Sequence, residues 1–60
     1  MDAPPNEFAV AGTVGDVVTI LVPPRGPISK DRALALAAWL VAVTGERERF
    51  NAILDAVEST

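Results

Sequence analysis

The stretch FAVAGTVGDVVTILV, Phe8 to Val22, decides the fold class. Its second half is dominated by β-branched residues, which fit a pleated surface. Gly15-Asp16 interrupts it with a two-residue turn signal of the kind that joins hairpin strands. The pattern predicts strands over 7–14 and 17–22. A two-residue turn sets Val14 opposite Val17, Thr13 opposite Val18, Ala11 opposite Ile20 and Ala9 opposite Val22. A three-residue loop would shift this register. The two-residue register puts Phe8, Val10, Val14, Val17 and Leu21 on one face, and Ala9, Ala11, Val18, Ile20 and Val22 on the other. Both faces are then apolar, whereas a hairpin on a single helical layer carries polar residues outside. Gly12 marks a bulge or the close approach of another backbone.

Outward from the hairpin, Met1 to Asn6 reads as a flexible tail, with Pro4 and Pro5 withholding two amide donors. On the other side Pro23 and Pro24 stop the second strand, since neither donates to a ladder. After PPRGP, Ser29 is a good helix N-cap and Asp31 suits the first turn of the dipole. The helix is expected over Lys30–Thr44, ended by Gly45 in the left-handed C′ conformation. A second helix is expected over Glu46–Glu58. Its Phe50, Ile53, Leu54 and Val57 follow the i, i+3, i+4, i+7 spacing of an amphipathic stripe. The fold class is therefore α+β, a β-hairpin followed by two α-helices (ββαα), with residues 7–60 forming a single domain.

The first helix contains ALALAAWLVAV, Ala33 to Val43, without a charge, hydroxyl or amide. At about 100° per residue its large side chains cover an arc of roughly 220°, against the ~100° that one core contact needs. Leaving two or three large apolar side chains wet forfeits about 5 kcal/mol, comparable to the net stability of a domain. A chain of 60 residues buries about 60% of the surface exposed on unfolding, and small scaffolds use disulfides, metals or partner subunits as staples. There is no cysteine and no histidine, which removes disulfides and the usual zinc ligands. Oligomerisation remains. The fold is expected to be completed by a homodimer or higher oligomer, with Leu34, Leu36, Trp39, Leu40 and Val43 at the interface.

Chemistry is not encoded in recognisable form. Without His or Cys there is no Ser-His or Cys-His pair, and the glycine-rich phosphate loops do not occur. Ser29 and Lys30 read as a cap and a solvated helix start, and Glu46, Glu48, Asp55 and Glu58 as a solvated face. No catalytic, cofactor-binding or metal-binding residue is expected, and the protein is read as non-enzymatic. Five basic against eight acidic residues give a net charge of -3, which repels phosphate backbones. The DNA-reading alternatives need outward polar residues on VVTILV, where only Thr19 is polar, or a basic second helix, which begins ERER with acids and bases balanced. A DNA-binding regulator is thus one rival reading, and a polymerising structural or assembly component is another. Arg25, in the PPRGP loop, is the first candidate for contact with another protein. MDAPPNE lacks the basic region and apolar run of a signal peptide. The apolar run falls short of the ~20 residues that span a bilayer. The expectation is a cytoplasmic protein with no membrane role.

The combination of PPRGP, then Ser29-Lys30 followed by an acid, then AAWLVA resembles a group of small uncharacterised proteins of mycobacteriophages and related actinobacterial phages. The resemblance covers rather less than half the chain, Ile20 to Val43. It implies a phage origin, a host-cytoplasm location and action by binding a host or phage protein. It carries over no functional residue.

Overall fold

The computed structural model describes residues 2–60; Met1, the first residue of the expected tail, lies outside the described residues. The element order is β1 (Val10–Thr13), β2 (Val17–Ile20), α1 (Lys30–Thr44) and α2 (Arg47–Glu58), the expected ββαα arrangement. The two strands pair antiparallel into a two-stranded sheet.

The register differs by one residue from the two-residue-turn expectation. Val10 faces Ile20, Ala11 faces Thr19, Gly12 faces Val18 and Thr13 faces Val17. Val14 drops out of the ladder, so the connection is the three-residue loop Val14-Gly15-Asp16. Gly15 (φ 91°) and Asp16 (φ 61°) both take left-handed backbone, which glycine adopts freely and aspartate tolerates. Thr13 Oγ1 donates to the Val17 carbonyl at 3.0 Å across the base of the loop.

Burial explains which register wins. A slip of one residue moves a strand's whole side-chain set to the other face. The observed pairing gathers Val10, Val18 and Ile20 on the face toward α1 and turns Thr13 and Thr19 to the other. The expected register would have split Val10 from Val18 and Ile20. The expected face containing Val14 and Val17 is corrected accordingly. Val14 is fully exposed in the turn, and Val17 is more than half exposed. The strands are also shorter than expected, although the pairing continues outward through Leu21 N–H to the Ala9 carbonyl and Val22 N–H to the Phe8 carbonyl, at 3.2 and 3.1 Å.

Ala9 is what shortens β1. Its φ is 50°, left-handed backbone for a residue with a Cβ. A turn closed by Ala9 N–H donating to the Asn6 carbonyl at 3.1 Å holds it there. The Asn6 side chain then replaces a missing strand neighbour. Its Oδ1 accepts from Val10 N–H at 2.9 Å, and its Nδ2 donates to the Val10 carbonyl at 3.0 Å. The left-handed conformation costs an alanine about 1–2 kcal/mol, whereas glycine's extra chain entropy costs roughly 0.5–1 kcal/mol. Ala9→Gly is therefore expected to raise stability by up to about 1 kcal/mol, read as a higher urea midpoint at unchanged slope.

α1 begins and ends for the expected reasons. Ser29 Oγ accepts from Arg32 N–H at 3.2 Å, and Gly45 (φ 69°) donates its N–H to the Val41 carbonyl at 3.0 Å. α2 starts one residue later than expected. Glu46 occupies the N-cap, with no side-chain hydrogen bond to the helix. α1 packs across the inner face of the hairpin. At Gly12 an added Cβ would lie 3.2 Å from Val43 Cγ1, so the missing side chain makes room for α1. The close neighbour is thus a side-chain methyl, with the Val43 carbonyl at 4.0 Å, rather than the bulge or backbone approach expected at Gly12. Among the described residues only Phe8 and Val10 are buried, at 5% and 4% exposure, and no residue of either helix is.

Candidate interaction surface

The apolar side chains of α1 divide between two neighbours. Leu36 and Trp39, with Ala35, meet the N-terminal segment at Pro5, Phe8 and Val10. Trp39 is half-buried there, and its indole N–H donates to the Pro4 carbonyl at 3.0 Å. Arg32 adds a second tie from the same helix. Its guanidinium pairs with both carboxylate oxygens of Glu7 and sits 5.5 Å from the centroid of the Phe8 ring. The hydrogen bond to Glu7 raises the Arg32 pKa above its ordinary value. Residues 4–7 thus lie along α1, tied to the rest of the chain by the Pro4 carbonyl, the Asn6 carbonyl and side-chain amide, and the Glu7 carboxylate.

The other side of α1 opens onto a cleft. Ala37, Leu40, Val41 and Val43 form one wall, the hairpin residues Gly12, Val17 and Val18 a second, and Phe50 and Ile53 of α2 the third. The cleft holds about 680 Å³. Asp16, Glu46 and Arg49 are the titratable groups along it. α2 leans on α1 near the Gly45 turn and leaves its stripe uncovered. Phe50 is half-buried, while Ile53, Leu54 and Val57 are 56%, 39% and 61% exposed.

The residues expected at an interface therefore fall in three places. Leu40 and Val43 line the cleft, Leu36 and Trp39 contact the N-terminal segment, and Leu34 stands 69% exposed near the start of α1. Arg25 is exposed on the loop between β2 and α1. Of the three basic residues near that loop, Arg32 is engaged by Glu7. The α2 stripe, legible in its spacing, is left largely open. The hairpin is too small to close it, since four-residue strands cannot cover two helices.

Among the described residues no helix is long and apolar enough to cross a membrane. Nor does any group of three or more His, Cys, Asp or Glu side chains there come close enough to hold a metal ion. Compared with protein-family models, curated proteins and solved structures, the chain matches none of them.

The accessible surface is large for the mass. A compact folded chain of 6.3 kDa exposes about 3,700 Å². This one exposes 5083 Å², about 1,300 Å² more than that scaling gives. The radius of gyration, 12.3 Å, likewise exceeds the ~10 Å of a compact chain of this length. The excess is larger than the ~800 Å² that each partner contributes to a standard protein–protein interface.

Proposed function

We propose that the protein is a small, non-enzymatic interaction protein that works as a self-associated unit and, in that form, binds and modulates another protein. The observation that carries this reading is the disproportion between core and surface. Among the described residues, two buried side chains stand against eight large apolar residues that are 39% exposed or more. Burying each large apolar side chain contributes about 1.5–3 kcal/mol. A symmetric assembly recovers that contribution without a further gene product, and twofold dimers are the commonest oligomer. The resemblance of the PPRGP-to-AAWLVA stretch to small actinobacterial phage proteins supports a host or phage protein as the eventual target, met in the host cytoplasm. Arg25, exposed on its loop and away from the cleft, is the first residue to test for that contact.

Sedimentation equilibrium over a hundredfold concentration range tests the self-association. The expected result is a fixed multiple of the 6.3 kDa chain mass at the upper concentrations. A folded species of 6.3 kDa throughout the range would overturn the reading.

A further inference from the structure

We infer that the occupant of the open α2 face is the α2 helix of a second copy, laid antiparallel across a twofold axis between Ile53 and Leu54. This deepens the self-association reading and rests on it. An open amphipathic helix beside an apolar cleft is one half of a helix-in-groove contact. The chain supplies the other half itself, because α2 carries one apolar stripe with Ile53, Leu54 and Val57 exposed and Phe50 half-buried. The whole chain exposes about 1,300 Å² more than the compact scaling, more than the ~800 Å² per partner of a standard interface, and three of its eight exposed large apolar residues lie on α2. An isologous contact uses the same patch twice, so a patch that is both a stripe and a wall of a cleft is self-complementary.

Charge favours the antiparallel direction. Arg47 and Glu58 are eleven residues apart in α2, about three turns, and fall within ~20° of each other around the helix. Both flank the stripe on the same side. With the axis between Ile53 and Leu54, the partner's Glu58 comes level with Arg49, about 3 Å along the helix from Arg47. The antiparallel arrangement therefore places opposite charges together twice. A parallel twofold pair lays each flank beside the partner's other flank and leaves Arg47 and Glu58 roughly 16 Å apart along the axis, so neither opposite-charge pair forms.

The chain has no cysteine, so single-cysteine variants report on this geometry alone. Arg47→Cys and Glu58→Cys proteins are treated with a short bismaleimide linker, separately and after mixing. Covalent dimer is expected in the mixture and little in either protein alone. Cross-linking within each separate protein, or none in the mixture, would overturn the antiparallel assignment. In parallel, Ile53→Glu is compared with Leu34→Glu by sedimentation. Both positions are more than half exposed, and circular dichroism checks that each variant keeps its helices. The expectation is a mass of 6.3 kDa for Ile53→Glu at concentrations where the unmodified chain and Leu34→Glu are assembled. Assembly of Ile53→Glu alongside dissociation of Leu34→Glu would move the interface to α1 and leave self-association standing. An unmodified chain that stays at 6.3 kDa would remove both. Should Ile53→Glu lose its helices, the cross-linking pattern still decides the direction and the face.

Discussion

Phe8→Ala is expected to abolish cooperative folding. Truncating a buried phenylalanine costs about 3–5 kcal/mol, and a core in this size range supplies roughly that much net stability. Phe8 is one of two buried residues among those described, and three parts of the molecule meet on it. Its backbone carbonyl takes the last hairpin hydrogen bond from Val22, its ring carries the Arg32 guanidinium, and its side chain packs beside Leu36 and Trp39. The measurement is a thermal melt by circular dichroism at fixed chain concentration, since association adds to apparent stability by mass action. A sloping, transition-free trace is the expected outcome for Phe8→Ala. A sigmoidal melt within a few degrees of the unmodified chain would place the centre of the core elsewhere, in the α1–α2 contact.

The second large effect is expected at a polar residue. Asn6→Ala removes two hydrogen bonds to the Val10 backbone at once. At about 0.5–1.5 kcal/mol each, the loss is roughly 1–3 kcal/mol. It also frees the turn that holds Ala9 in its left-handed conformation. Asn6→Asp separates the two bonds. A carboxylate still accepts from Val10 N–H but cannot donate to the Val10 carbonyl, and it sets a negative charge against that oxygen. Urea unfolding should therefore rank the proteins as unmodified above both variants, with Asn6→Asp no better than Asn6→Ala. An Asn6→Asp protein as stable as the unmodified chain would mean that the Nδ2 bond contributes nothing.

Why Asn6 escaped the sequence reading is instructive. The prolines before it, Pro4 and Pro5, are an ordinary tail signal, and nothing in MDAPPNE alternates or repeats. The side chain works only because Ala9 has positive φ, and Ala9 is held there by a turn closed back to Asn6, beside residues Pro4 and Glu7 that are tied to α1. Such a conformation has no local signature in an alanine. The helix limits are different. Ser29 and Gly45 are local signals with local partners, and both ends of α1 fall where those residues place them. The hairpin lies between these cases. Gly15-Asp16 marks the turn correctly, but whether Val14 joins the strand depends on which face α1 covers, and that is tertiary information.

The candidate surface was readable in the same uneven way. The apolar excess is visible in composition, and the α2 stripe in its spacing. The distribution of α1 residues between two neighbours is not, because α1 is apolar on nearly every side and carries no directional pattern. Leu36 and Trp39 go to the N-terminal segment because Pro4 offers a carbonyl to the indole and Glu7 a carboxylate to Arg32. Neither residue has a spacing relationship to its partner.

Trp39 is the chain's one tryptophan, and the N-terminal strap lies across it with a hydrogen bond to the indole. The molecule therefore contains an optical label for a particular event. Its fluorescence reports whether residues 4–8 are docked, rather than whether the helices are formed. A stopped-flow trace followed at this wavelength records the strap lifting, while ellipticity records the helices melting. Any interval between the two signals is the lifetime of a chain with its hairpin end undone and its helices intact.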